Sequence, residues 1–149
     1  MRTLLFLTLT SLCLRKSRAV NVSFVFNVTN GPSTWEECAA VCSAFDPPFS
    51  SFATIINAAE QTAAAAAVTA DTWIAATDQT KEGNFSWSPS HNCFIWQNGH
   101  GVIGKHAPFA KSEPNDDGDQ DCVQLWVGKE KQWDDDQCTT EKHCLCKIP

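Results

Sequence analysis

Basic residues are scarce in this chain, and its few arginines lie close to the N-terminus. The 149 residues contain 11 Lys and Arg against 17 Asp and Glu, and no Arg occurs after Arg18. Without the segment up to Ala19, 7 Lys would remain against 17 acids, which gives a net charge of −10 (7 − 17). Such a surface repels phosphate groups, so we predict no binding of nucleic acid and no attraction to anionic lipid.

Long apolar runs are also lacking. Only Leu4 to Leu14 forms one, and its 11 residues are too few for a membrane-spanning helix, which needs ~20. Arg2 before this run and Ser17-Arg18-Ala19 after it give the layout of a secretory signal peptide. We therefore predict a signal peptide over residues 1–19 and one secreted, extracellular domain over 20–149, without membrane insertion. An uncleaved N-terminal anchor is the alternative.

Cysteine, in contrast, is abundant, although no pair has the CxxC spacing of zinc or thioredoxin-like sites. Apart from Cys13 in the predicted signal, the cysteines are Cys38, Cys42, Cys93, Cys122, Cys138, Cys144 and Cys146. In a small secreted domain this number predicts disulfide bonds. Sequons at Asn21, Asn27 and Asn84 agree with an exported glycoprotein.

No enzyme chemistry is indicated by the sequence. The four histidines, His91, His100, His106 and His143, match no standard zinc pattern. No Ser, Cys or carboxylate pair stands beside a plausible base, so a secreted hydrolase is disfavoured.

The hydrophobic pattern predicts a mixed α and β chain. The predicted elements are a strand over 22–28, a helix from Trp35 to about Ala44, a short strand or strand-like segment over 52–56, a helix from Ala58 to about Thr69 and strands over 73–77, over 122–127, from Trp133 onward and over 144–148. Trp35, Cys38, Ala39 and Cys42 share one predicted face of the first helix. Residues 78–121 are predicted to be irregular, and so long a segment needs an ordering device such as bound calcium.

Several motifs follow one another in a fixed order. They are Thr34-Trp35-Glu36-Glu37-x4-Cys42, Trp73-Ile74-Ala75-Ala76-Thr77-Asp78, Glu82-Gly83-x-Phe85-x-Trp87, Glu113-Pro114-Asn115, Asp121-Cys122-Val123-Gln124-Leu125, Trp133-Asp134-Asp135-x2-Cys138 and the final Cys146. In order and spacing this series resembles the C-type lectin-like domain family over nearly all of residues 20–149. The resemblance implies an α+β fold in which two helices flank small antiparallel sheets, with a long calcium-binding loop region and disulfide staples.

The resemblance also implies a disulfide scheme. By the family pattern, Cys42 pairs with Cys146 and Cys122 pairs with Cys138. Cys38 lies one helical turn before Cys42, and Cys144 lies two strand residues before Cys146, so a parallel Cys38–Cys144 bridge then follows. Cys93 has no obvious partner and is either a free buried thiol or a link to another chain, through which the protein would form an oligomer.

Calcium is the cofactor that the resemblance implies, and it takes six to eight oxygen ligands. The sugar-binding ion would be held by Glu113, Asn115, Gln120, Asp134 and Asp135, with a cis Glu113–Pro114 bond. An auxiliary ion would be held by Asp78, Glu82, Asp116 and Asp121. The residues in contact with sugar hydroxyls would be Glu113, Asn115, Asp134 and Asp135, and the Glu-Pro-Asn order resembles the type that prefers mannose, glucose or fucose.

Two positions depart from the usual family pattern, which has Asn at position 134 and Glu at position 120. Asp134 accepts hydrogen bonds but cannot donate, which leaves galactose-type or altered selectivity open, and Gln120 is expected to weaken calcium binding. We predict a calcium-dependent carbohydrate-binding protein whose partners are glycans or glycoproteins. The alternative is a calcium-independent domain of the same fold that binds a protein or another non-sugar ligand.

Overall fold

The computed structural model of the protein describes residues 24–89 and 94–149. Within these ranges the helices are α1 (Trp35–Phe45) and α2 (Ala58–Ala67). The strands are β1 (Val25–Val28), β2 (Ser51–Phe52), β3 (Thr72–Thr77), β4 (Ser86–Trp87), β5 (Trp96–Gln97), β6 (His100–Gly101), β7 (Cys122–Trp126), β8 (Gln132–Asp136) and β9 (His143–Ile148). This is the predicted α+β arrangement.

The strands around β3 and β9 form the frame of the domain. The sheet runs β1-β9-β3-β7-β8, with β2 added to β9 and β4 added to β3, while β5 and β6 form a separate small hairpin. β9 is antiparallel to β1 and parallel to β3. All six residues of β3 are buried, because hydrophobic clusters cover both of its faces. The hairpin of β7 and β8 therefore extends from a rigid central strand.

Helix α1 begins where the sequence predicted. The Thr34 backbone N–H donates to the Glu37 carboxylate at 2.9 Å, which satisfies one of the donors that a helix N-terminus leaves unpaired. Of the four residues predicted to share one face, Trp35, Cys38 and Cys42 are buried and Ala39 is exposed. The buried residues of α1 are therefore Trp35 and the two half-cystines, Cys38 and Cys42.

Three disulfide bonds hold the described part of the chain, and they pair as expected. They are Cys38–Cys144, Cys42–Cys146 and Cys122–Cys138, with Cα–Cα distances of 5.4, 5.2 and 5.1 Å. The first two attach α1 to β9 side by side, and the third joins the start of β7 to the residues just after β8. Helix α1 is thus fixed to the sheet covalently, and the two ends of the β7–β8 hairpin are fixed to each other.

The predicted strand or strand-like segment over 52–56 is a paired strand only at its start. Ser51 and Phe52 pair with β9, and Ala53 continues this pattern by donating to the Leu145 carbonyl of β9 and accepting the Ala75 N–H of β3, each at 2.9 Å. Beyond it the backbone N–H of Ile56 donates to the Glu60 side chain. Ala53 and Ile55 are fully buried, whereas Ile56 is exposed.

Some predictions lie outside the described residues, namely those on the signal peptide over 1–19, on Asn21 and on Cys93. Among the described residues, no helix has the length and apolar character needed to cross a membrane.

Candidate metal centre

One cluster of carboxylates lies where β8 meets the chain segment over residues 108–113, which runs beside it. Asp134 and Asp135 belong to β8, and residues 108–110 run beside that strand, with the Ala110 N–H donating to the Trp133 carbonyl at 2.8 Å. This brings Glu113 to the end of β8. One carboxylate oxygen each from Glu113, Asp134 and Asp135 lies within 4.8 Å of the others, and the Glu113–Pro114 bond is cis, as the resemblance implied. These three carboxylates are called the principal cluster below.

Asp135 also fixes the chain that follows Pro114. Its two carboxylate oxygens accept the backbone N–H groups of Asn115 at 3.0 Å and of Asp116 at 2.8 Å. The Asn115 side-chain oxygen in turn accepts the N–H of Asp117 at 2.8 Å. Asn115 is therefore held beside the principal cluster by contacts on both its backbone and its side chain.

The principal cluster is electrostatically unfavourable on its own. Burial, followed by the charges of Asp134 and Asp135, raises the pKa of Glu113 to about 7. Burial is also the largest cause of the raised pKa values of Asp134 and Asp135. Within the described residues, the Glu113 Oε2 atom is buried without a hydrogen-bond partner. A buried, unpaired carboxylate oxygen beside two further carboxylates is suited to a hard cation such as calcium.

Gln120 has contacts other than those expected of a calcium ligand. Its side-chain oxygen accepts the Asp117 N–H at 2.9 Å, and its amide nitrogen lies 3.5 Å from an Asp136 carboxylate oxygen. The structure thus places Gln120 in the loop next to the principal cluster, where its carbonyl oxygen is already used by the backbone.

A second cluster of carboxylates forms at the end of β3. One carboxylate oxygen each from Asp78, Glu82 and Asp121 lies within 4.8 Å of the others, and the Asp78 N–H donates to the Asp121 carbonyl at 3.1 Å. Asp78 Oδ2 accepts the Gly83 N–H at 2.8 Å, while Oδ1 is buried without a partner among the described residues. Burial, then the charges of Glu82 and Asp121, raises the pKa of Asp78 to about 8. This auxiliary cluster also suits a cation.

Asp116, the fourth predicted auxiliary ligand, lies close to this cluster but outside the group of three. Its carboxylate accepts the Gln120 backbone N–H at 2.9 Å. After burial, its negative charge is the next largest cause of the raised pKa of Glu82. Asp116 thus lies between the two clusters, because Asp135 of the principal cluster accepts its backbone N–H.

One residue of the site, Gln124, was not predicted from the sequence. Gln124 on β7 donates a hydrogen bond from Nε2 to Asp134 Oδ2 at 2.7 Å. Its only signal in the sequence was a polar residue among the apolar residues of a predicted strand, which reads equally well as a solvent-facing position. The strand register, which places it opposite Asp134, reveals the contact.

Comparison with known proteins identifies the family. Residues 31–148 match the family model described as "Lectin C-type domain". The chain belongs to this C-type lectin family. Among curated relatives, Salivary C-type lectin 2 of Aedes albopictus is 36% identical over 80 residues, which are 50% of this chain and 46% of the relative. A C-type lectin of Thrasops jacksonii, named a lectoxin, is 28% identical over 134 residues, covering 83% of this chain and 76% of the relative. The match to the first of these spans about half of that lectin's length.

Solved structures of C-type lectins have the same fold. C-type lectin CEL-I from Cucumaria echinata has a TM-score of 0.66 and 20% identity, and the match covers 85% of this chain and 90% of that one. The cow CD23 domain, solved in the presence of a GlcNAc2Man3 oligosaccharide, has a TM-score of 0.65 and 21% identity over 85% of this chain and 88% of that one. A calcium-independent type II antifreeze protein has a TM-score of 0.66 and 22% identity over 83% and 85%. C-type lectin domains are in general binding domains rather than enzymes, and calcium is their usual ion.

Proposed function

We propose that this domain binds carbohydrate through a calcium ion held by the principal cluster and Asn115, with a second ion at the auxiliary cluster. The observation that carries the proposal is the buried Glu113 Oε2 atom, which has no partner among the described residues and lies beside two further carboxylates. A buried carboxylate oxygen without a partner lowers the stability of the fold, so it is expected where a bound ligand supplies the missing partner.

The side chains of the site divide into acceptors and donors. When bound, calcium offers coordination positions to sugar hydroxyls. The carboxylates of Glu113, Asp134 and Asp135 can only accept hydrogen bonds from those hydroxyls, whereas the amide nitrogen of Asn115 can donate. A pair of vicinal hydroxyls suits this mixture, because a hydroxyl both donates and accepts.

The Glu113-Pro114-Asn115 order favours sugars of the mannose, glucose and fucose type. Asp134 lacks the amide that the family usually has there, but Gln120 carries an amide where the family usually has a carboxylate. The Gln120 side chain bonds within its own loop and is not counted among the ligands, so the missing carboxylate at position 120 is expected to weaken calcium binding. The missing amide at position 134 leaves galactose-type selectivity as the alternative.

The relatives named as lectins and the oligosaccharide in the cow CD23 structure support a glycan as the partner. The name of the salivary relative supports a secreted protein. The antifreeze protein supports the second candidate, a calcium-independent domain with a non-sugar ligand, because it has the same fold. We favour calcium because both clusters of carboxylates come together in this chain.

The test is binding of the oxidised, secreted protein to a glycan array, with calcium and with a chelator. The protein is displayed as a tetramer, because multivalency raises weak single-site affinities to detectable levels. We expect binding to mannose, glucose or fucose glycans that the chelator abolishes. Absence of any calcium-dependent signal would refute the proposal, and binding that survives the chelator would favour the second candidate. The double variant Glu113→Gln, Asn115→Asp is expected to shift binding toward galactose.

A further inference from the structure

Gln124 and Asp134 face each other across the two strands that carry the principal cluster. β7 and β8 are antiparallel, and Gln124 lies directly opposite Asp134 in their register. Directly opposite residues project from the same face of a sheet and lie close enough for their side chains to interact. Both are buried, with 4% exposure for Gln124 and 8% for Asp134.

The contact between them uses only one oxygen of the Asp134 carboxylate. Gln124 Nε2 donates to Oδ2 at 2.7 Å. With Oδ2 bound in this way, the rotation of the carboxylate is restricted, and Oδ1 is the oxygen left for a cation. In metal sites, hydrogen-bond partners of this kind orient the ligating carboxylates.

Gln124 is unusual for its surroundings. Its neighbours along β7, Val123 and Leu125, are fully buried hydrophobic residues, and on its other side it pairs with the fully buried Trp73 of β3. Within the described residues, its own side-chain oxygen is buried without a partner. An apolar residue would leave no such unpaired atom, so packing alone does not account for glutamine here. Its donor end is the part that makes a contact.

We propose that Gln124 is a positioning residue for the calcium site: its amide holds Asp134 in the orientation that presents Oδ1 to the ion. The inference rests on the proposed function, because it requires that the principal cluster binds calcium. It adds a residue that is neither a predicted ligand nor in contact with the sugar.

The test measures calcium affinity by titration calorimetry on the oxidised, chelator-stripped protein, with Gln124→Met as the main variant. Methionine has a similar length but no donor. We expect its calcium affinity to fall by ~10–100-fold, the usual effect of removing a partner of a metal ligand. Gln124→Leu serves as a second apolar variant if the methionine variant does not fold. Thermal unfolding in chelator is recorded for each variant, so that a change in stability is separated from a change in affinity.

The matched control is Gln61→Met. Gln61 also makes two hydrogen bonds in the interior, to Trp133 and to the Lys131 carbonyl, but neither of these bonds reaches a carboxylate of the two clusters. We expect this variant to lose stability and to keep its calcium affinity. A similar loss of affinity in both variants would mean a general effect of destabilisation and would overturn the inference.

A double-mutant cycle with Asp134→Ala then tests whether Gln124 acts through Asp134. We expect the effect of Gln124→Met on calcium affinity to shrink in the Asp134→Ala background, because the side chain that Gln124 orients is gone. An undiminished effect, or wild-type affinity in Gln124→Met, would overturn the inference. Failure of the wild-type protein to bind calcium would refute the proposed function itself, so the two failures are distinguishable.

Discussion

Replacing Glu113 by Gln should stabilise the metal-free protein and reduce the stabilisation that calcium provides. Glu113, Asp134 and Asp135 each place a carboxylate oxygen within 4.8 Å of the others. Two unit charges at that distance repel by ~0.9 kcal/mol in water and by ~3.5 kcal/mol at an effective dielectric constant of 20. The substitution removes two such pairs while keeping the shape of the side chain.

Glu113 is only partly buried, so its repulsion is screened by solvent. We therefore expect the variant to be more stable than the wild type in chelator by roughly 1–3 kcal/mol, or ~3–10 °C in melting temperature. In calcium this difference should narrow. The wild type gains ~2.7 kcal/mol when calcium reaches a hundred times its dissociation constant, and the variant, which has lost a ligand, gains less.

The assay is thermal unfolding by circular dichroism at pH 8.5, where wild-type Glu113 is ionised because its raised pKa is about 7. Each protein is measured in chelator and at increasing calcium. Glu141→Gln is the control, because Glu141 is exposed and belongs to neither cluster; it should change neither value. A Glu113→Gln variant that is less stable than the wild type in chelator, or that gains as much from calcium, would refute the reasoning.

Three further outcomes are expected. The metal-free protein should lose stability as the pH rises from about 4 to about 8. The pKa of Asp78 is raised to about 8 from 3.8, so the folded state binds more protons than the unfolded chain in this window. Unfolding in urea at pH 5 and pH 8 checks this, and equal stability at both would contradict it. Changing Cys38 and Cys144 together to alanine should lower the free energy of unfolding by only about 2 kcal/mol in the chain-entropy model. The intact Cys42–Cys146 bridge leaves a loop of only about six residues for the removed bridge to close. A loss of about 5 kcal/mol in the same unfolding assay would contradict this. Finally, Asn84 should carry no glycan after secretion from a glycosylating host, because its side chain is buried and its Nδ2 donates to the Glu82 carbonyl; mass spectrometry of Asn84→Gln would refute this by showing a mass lower by one glycan.

The sequence predicted the elements that a local pattern determines. Helix α1 starts at Trp35 as expected, since Thr34 and Glu37 mark its first turn, and β3 and β9 fall within a residue of their predicted bounds. The end of the strand-like segment over 52–56 could not be placed from the sequence, because an apolar segment has the same composition whether or not it pairs. Local pattern thus identifies burial more reliably than it identifies hydrogen-bond partners.

The part of the candidate site that could be predicted is the set of carboxylates that lie in recognisable sequence motifs. Glu113, Asp134 and Asp135 come together as the resemblance implied, whereas Gln120 makes contacts that no motif encodes. Gln124 could not be found from spacing along the chain, since it lies ten residues from Asp134 and meets it only through the pairing of β7 with β8. Cross-strand partners of this kind depend on register, which composition and periodicity do not fix.

That register gives the Cys122–Cys138 bridge a role beyond holding the chain together. The bridge lies at the end of the β7–β8 hairpin where Cys122 pairs with Asp136, two residues from the pair of Gln124 with Asp134. A slip of one residue between the strands would turn each side chain to the opposite face of the sheet. It would bring Asp135 opposite Gln124 and remove Asp134 from that position. The bridge therefore fixes the register of β7 and β8, and its reduction would disturb the positions of the ligands as well as the stability of the fold.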